Sequence, residues 1–216
     1  DKWAEAQISA AKCEPTFRGQ PGMSRGARPF PAVACISLNE EIIHGIPSRQ
    51  RVIQDGDVVS IDCGVILDGF FGDHAWTFPV GKVSPEAKKL LDAGEKSLLK
   101  GIEQAKDGNR LHDISSVIEK IASENGFSVV RDYVGHGIGR SLHEDPQVPN
   151  FGEPGTGLKL KRGLVIALEP MLNAGTHEVE VLRDGWTVVT KDRKLSAHFE
   201  HVVAIMENGP EILSVI

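Results

Sequence analysis

The sequence predicts an α+β fold, one domain in which two β-containing halves flank a pair of helices. Short apolar runs punctuated by Asp55-Gly56 and Asp68-Gly69 fill residues 33–80, and similar runs return beyond Phe127. Between them, residues 84–124 switch to the apolar spacing of amphipathic helices. No linker is long enough to separate domains, and no short-period repeat or low-complexity tract interrupts the pattern.

In chain order, residues 1–13 read as the tail of a helix ending before Pro15, and residues 18–31 as a loop rich in Gly, Pro and Arg. Strands are expected over 33–38, 58–67 and 70–80, with a hairpin at Asp68-Gly69. Ser84 as N-cap and Pro85 at the first helical position start a helix. Ala87, Leu90, Leu91, Gly94, Leu98, Ile102 and Ala105 carry it to Asp107-Gly108. Leu111, Ile114, Val117, Ile118 and Ile121 mark a second helix, stopped by Asn125-Gly126. Further strands are expected over 164–172, 179–182, 186–190 and 198–206. The expected organisation is a single domain over 1–216, with a partial helix and loop over 1–31 and the core over 32–216. Asp1 has no Met before it, so an N-terminal segment is expected to be missing.

The 216 residues carry 24 Lys+Arg against 30 Asp+Glu, a formal charge of −6, and are 40% hydrophobic and 25% charged. That balance is globular and excludes disorder. No run approaches the ~18 apolar residues of a membrane span, and no charged start followed by an apolar run suggests a signal peptide, so a cytoplasmic protein without a membrane partner is expected. Net negative charge without a basic face argues against nucleic acid. Cys13, Cys35 and Cys63 are odd in number and widely spaced, which favours a reducing compartment over a disulfide framework.

The informative residues are acids set inside apolar runs. Asp62 ends Val58-Val59-Ser60-Ile61-Asp62, Asp73 follows the next hairpin, Glu169 lies before Pro170, and Glu200 lies within Phe199-Glu200-His201-Val202-Val203. Carboxylates are seldom buried unless paired or metal-bound. Each alone fits an exposed strand face or an arginine pair, but these runs contain no Arg or Lys. A second cluster is Gly135-His136-Gly137-Ile138-Gly139-Arg140, followed by Leu142-His143-Glu144. No strand-turn-helix unit surrounds those glycines, which argues against a dinucleotide loop. Glycines beside a histidine instead let backbone and ligand approach closely. His44-Gly45-Ile46-Pro47 places a further histidine at a strand end; taken alone, such a histidine is more often a hydrogen-bonded surface residue.

Four carboxylates and an imidazole form a hard O/N donor set suited to Mn, Fe(II), Co or Zn. Four buried carboxylates would repel one another too strongly to stay ionised together, and two divalent ions cancel that charge. Such ions, about 3.5–4 Å apart, lower the pKa of a bridging water and polarise a substrate carbonyl. There is no Gly-x-Ser-x-Gly elbow, and no cysteine has an identifiable base partner.

Read in order, Cys35-Ile36-Ser37-Leu38-Asn39-Glu40, His44-Gly45-Ile46-Pro47 and Asp55-Gly56-Asp57-Val58-Val59-Ser60-Ile61-Asp62 form the first half of a pattern. Tyr133-Val134-Gly135-His136-Gly137-Ile138-Gly139, Glu169-Pro170-Met171 and Ser196-Ala197-His198-Phe199-Glu200-His201 complete it. From about Cys13 to the C-terminus, the chain resembles the type I methionine aminopeptidases. The resemblance implies the pita-bread fold: two pseudo-symmetric halves with helices packed on a curved antiparallel sheet, here with the metallopeptidase core over 32–216. It implies two divalent ions, with Asp62 and Asp73 on one, His136 and Glu169 on the other, and Asp73 and Glu200 bridging. His44 and His143 would contact substrate, and Glu169 would take the proton from the attacking water. Cys35, Phe30 and Trp186 would line the methionine pocket, with Leu142 beside His143.

The implied reaction is removal of the initiator methionine from peptides and nascent proteins with a small second residue, by attack of a hydroxide bridging the two ions. Substrates with a free N-terminal Met are the implied partners, with the ribosome a further one. Three features depart from the family pattern. Gly19-Gln20-Pro21-Gly22 and the 23–29 stretch bearing Arg25 and Arg28 stand where relatives often have Gly-Tyr-Pro-Gly. Leu142 stands where many have Phe, and His74 follows Asp73, on the opposite strand face, and so is read as supporting a ligand or as structural, not as a sixth ligand. The alternatives are an Xaa-Pro aminopeptidase of the same fold and a non-catalytic binding module. The segment from Cys35 to Pro47 argues against the first, and the full set of five ligands against the second.

Overall fold

The structure is a computed structural model that describes residues 1–22 and 28–215; Arg25 and the rest of 23–27 lie outside the described residues. Helix α1 (Lys2–Ala10) and β1 (Glu14–Pro15) lead to β2 (Cys35–Leu38) and β3 (Glu41–Ile43). Then come β4 (Val58–Asp62), β5 (Val65–Leu67), β6 (Phe70–Gly72) and β7 (Ala75–Pro79), followed by α2 (Pro85–Ile102) and α3 (Leu111–Glu124). The second half carries β8 (Ser128–Val129), β9 (Gly135–Gly137), β10 (Glu144–Val148), β11 (Val165–Leu168) and β12 (Met171–Asn173). It closes with β13 (Val179–Val181), β14 (Val188–Thr190), β15 (Ser196–His198), β16 (His201–Met206) and β17 (Gly209–Ile212). All strand pairs among the described residues are antiparallel, which makes the architecture α+β.

The long expected strands each divide in two. The run over 58–67 breaks after Asp62, that over 70–80 at Asp73-His74, that over 164–172 at Glu169-Pro170, and that over 198–206 at Phe199-Glu200. The halves of each run belong to different sheets. β4 and β7 lie in the order β2-β4-β7, whereas β5 and β6 lie in β1-β5-β6. β11 and β16 lie in the five-stranded order β10-β9-β11-β16-β17, whereas β12 and β15 lie in β15-β12-β8. The remaining sheet is β13-β14-β3. A strand that bends at a corner can leave one sheet and enter the next, and Pro170 has no N–H with which to continue a ladder. Apolar residues flank each corner, so the hydrophobic run continues through it and hides it in the sequence.

The hairpin at Asp68-Gly69 forms as expected: both residues have positive φ, 51° and 79°, the type I′ geometry that joins β5 to β6. Ser84 Oγ accepts from the Ala87 N–H at 3.1 Å, a cap worth about 1 kcal/mol. Helix α2 ends at Ile102 rather than at Asp107. Beyond it, tight turns place Gln104 N on Gly101 O and Ala105 N on Ile102 O, both at 2.9 Å. Ala105 stays fully buried in those turns, which is why the apolar spacing outruns the helix. Helix α3 stops before Asn125-Gly126.

The main core packs Leu90 and Leu98 of α2 and Ile114 and Ile118 of α3 against Ile166, Leu168, Leu172 and Phe199. A smaller cluster of Phe17, Phe30, Ala32, Cys35, Ile138, Leu142, Trp186 and Val202 supplies apolar wall to the site described next. Among the described residues, no helix is long and apolar enough to cross a membrane.

Candidate metal centre

The four acids occupy the corners between sheets. Asp62 is the last residue of β4, Asp73 follows β6, Glu169 follows β11, and Glu200 precedes β16. His136 is central in β9, opposite Ala167 of β11. Its flanking glycines have a use different from the expected one. A Cβ on Gly135 would lie 2.3 Å from the Ala167 carbonyl oxygen, and one on Gly137 would lie 2.2 Å from that of Asp145. The glycines therefore let the two neighbouring strands close on β9.

The eleven residues singled out by sequence line one cavity of about 680 Å³: Asp62, Asp73, His136, Glu169, Glu200, His44, His143, Cys35, Phe30, Leu142 and Trp186. Ligand atoms of Asp73, His136 and Glu200 lie within 4.8 Å of one another, as do those of Glu169, His198 and Glu200. Glu200 belongs to both groups. Asp62 stands outside both, although its carboxyl senses the charges of Asp73 and Glu169. His136 Nδ1 lies 2.8 Å from the Gly137 carbonyl oxygen, which can only accept, so Nδ1 carries the proton. Nε2 faces Glu169 Oε1 at 3.2 Å.

Electrostatics make this arrangement costly without a cation. Burial, then the charges of Asp73 and Glu169, push the Asp62 carboxyl well above its ordinary value. Burial and Glu169 raise Asp73 to about 8, and burial with Asp73, Glu169 and Asp62 raises Glu200. Burial also acts to raise Glu169, but His198, His136 and His143 outweigh it and leave the group lowered. Asp62 Oδ1, Glu169 Oε1 and Glu200 Oε1 are buried without hydrogen-bond partners. An all-O/N donor set with orphaned carboxylate oxygens fits a hard or borderline divalent cation.

Around this centre, His44 follows β3 with φ 58°. Its ring meets Tyr133 and Trp186 edge to face, at 6.0 and 6.1 Å between centroids. Burial lowers its pKa to about 4, and its Nδ1 has no partner. His143 meets His136 edge to face at 4.4 Å, and burial followed by His136 lowers its pKa. The turn before it is held by Glu144, whose Oε1 accepts from Arg140 N at 2.7 Å and Ser141 N at 2.8 Å. Phe30 packs edge to face on Trp186 at 5.1 Å, and the Trp186 indole N–H donates to the Arg28 carbonyl at 2.8 Å. Gln20 lines the cavity too, its amide donating to the Thr16 carbonyl. His74 lies off the cavity, stacked on His201 at 4.8 Å.

Sequence reasoning passed over two residues. Tyr133, the one tyrosine of the chain, lines the cavity. His198 is 1% exposed and belongs to the second donor group. Its signal was present: two residues before Glu200 in an apolar run, an imidazole can share that acid's side of the chain.

Antiparallel sheets meeting at a buried acid-and-imidazole centre fit a metal-dependent enzyme, and the chain belongs to metallopeptidase family M24, whose profile matches residues 4–207. Within that family, its similarity is to methionine aminopeptidases. It is 56% identical over 216 residues to the methionine aminopeptidase of Clostridium perfringens, covering all of this chain and 84% of that protein. It is 50% identical over 214 residues to methionine aminopeptidase 1 of Bacillus subtilis, covering 99% and 83%. The crystal structure of the Thermotoga maritima methionine aminopeptidase superposes with a TM-score of 0.92 at 43% identity, covering 98% of this chain and 82% of that one. An X-Pro aminopeptidase structure from the same organism shares the fold alone, with a TM-score of 0.65 at 22% identity over 86% of this chain and 47% of that one.

Proposed function

We propose that this chain is a metal-dependent aminopeptidase that hydrolyses the bond after an N-terminal methionine, acting on peptides and nascent proteins whose second residue is small. The observation that carries this reading is the shared cavity. One wall is the acid-and-imidazole centre, and another is the apolar group of Phe30, Cys35, Leu142 and Trp186. A thioether side chain suits such an apolar wall, while the scissile bond would lie towards the acids. The relatives described above favour this activity over Xaa-Pro cleavage. A cytoplasmic setting belongs to the same proposal, since nascent chains are the substrate.

Asp62, Asp73, His136, Glu169 and Glu200 would hold two divalent ions, which supply Lewis acidity and an acidified water when bound. The rest of the chemistry falls to the chain. Glu169, kept ionised by three imidazoles, accepts a proton from the attacking water. His143 directs an N–H toward the scissile carbonyl oxygen as negative charge develops there. His44 is neutral at pH 7, and its unpartnered Nδ1 hydrogen-bonds the peptide nitrogen that leaves as an amine. That nitrogen gains the proton first taken by Glu169. Phe30, Cys35, Leu142 and Trp186 exclude water from the methionine side chain.

A panel of Met-Ala-x and Ala-Pro-x peptides, assayed with added Mn(II), Co(II), Fe(II) or Zn(II), tests the reading. Release of methionine from the first peptide alone is expected. Preferential cleavage of Ala-Pro would overturn it.

A further inference from the structure

His198 is a buried imidazole whose backbone is fully employed and whose side chain is not. Its N–H donates to Thr77 Oγ1 at 2.9 Å, and the Thr77 hydroxyl donates back to its carbonyl at 2.7 Å. The single Thr77 proton is thereby spent, so Ser60 Oγ must be the donor in its 2.7 Å contact with Thr77 Oγ1. This node fastens β15 to β7 and β4 and fixes where the imidazole can reach. Opposite it in register stands Met171, two residues beyond Glu169. Yet both ring nitrogens, at 1% exposure, lack hydrogen-bond partners. Nε2 stands 3.6 Å from Glu169 Oε2, just outside hydrogen-bond range. Glu169 meets His136 with its other oxygen, Oε1.

We propose that His198 is a positioning residue: its Nε2–H holds Glu169 Oε2, leaving Oε1 aimed at the position shared with His136. The inference rests on the reading of Glu169 as a metal-holding carboxylate. Such contacts often close only when a site is filled, and a carboxylate anchored through one oxygen presents the other in a fixed direction. The second imidazole nitrogen plays no part in this role.

The test compares His198→Gln, which keeps an N–H donor at similar reach, with His198→Met, which keeps the length and loses the donor. Metal-free protein is titrated with Mn(II) by calorimetry, and Co(II) absorption spectra are recorded. The Met variant should bind its weaker ion about 10- to 100-fold less tightly, and the Gln variant should recover wild-type affinity with unchanged Co(II) bands. Wild-type affinity in the Met variant would overturn the inference, as would a Gln variant as weak as Met. Altered Co(II) bands in the Gln variant would show that His198 itself ligates and would also overturn it. Wild-type protein that binds no metal would remove the underlying reading of Glu169 as well, so the two failures are distinct.

Discussion

His136 Nε2 and Glu169 Oε1 face each other at 3.2 Å, while His136 Nδ1 donates to the Gly137 carbonyl. The pair needs something positive between its two atoms, a proton on Nε2 or a bound cation. Glu200 is common to both donor groups, so Glu200→Ala should lose bound metal and methionine release together. Metal analysis beside a peptide assay checks this. An active, metal-replete variant would contradict the assignment.

His44 lies beside that pair without belonging to either donor group. His44→Ala should therefore lower kcat by about 10²- to 10⁴-fold, the usual cost of an oriented acid-base group, while metal content stays near that of the unaltered protein. Near-full turnover in the variant would remove the role given to it.

Removing metal should make stability depend on pH in a defined direction. Folded Asp73 has a pKa of about 8, so above an ordinary carboxylate pKa of about 3.9 the folded chain holds a proton that the unfolded chain has lost. Stability then falls as pH rises, until Asp73 ionises in both states. His44 and His201, lowered by burial to about 4, contribute the opposite slope, but only below about pH 6.5. From about pH 6.5 to 8, Asp73 alone should cost the metal-free protein about 1–2 kcal/mol. Asp62 and Glu200 act in the same sense. Thermal melts of chelator-treated protein at the two ends of that window should show Tm falling. A rising Tm would contradict the electrostatics, and added metal should flatten the slope.

Gly137→Ala should be far more damaging than its size suggests. The new Cβ would meet a backbone oxygen of β10 at 2.2 Å, and a backbone oxygen cannot rotate away. A loss of about 1–3 kcal/mol is expected, as for overpacking generally, together with weaker metal binding as β9 shifts. Melting curves and metal titration on one preparation measure both effects.

The helices, the Asp68-Gly69 hairpin and the four acids of the site were legible because each has a local signal: spacing, a turn pair, or a charge amid apolar neighbours. The corners were not. Val65 after Asp62 and Met171 after Glu169 are as apolar as the residues before the break, so nothing local marks the change of sheet. The end of α2 was hidden similarly, because Ala105 is buried in a turn. The shared side of His198 and Glu200 was readable, but the closeness of His198 to Glu169, far away in the sequence, was not.

The acids stand at joints. Each corner hands the chain from one sheet to the next, so charge left unneutralised there repels at the points where the sheets are joined. A cation held by these acids would tie the sheets together at the same place where hydrolysis is proposed. Chains short of metal should therefore be less stable as well as inactive, and a protease that samples opened forms would clear first the copies that turn over nothing.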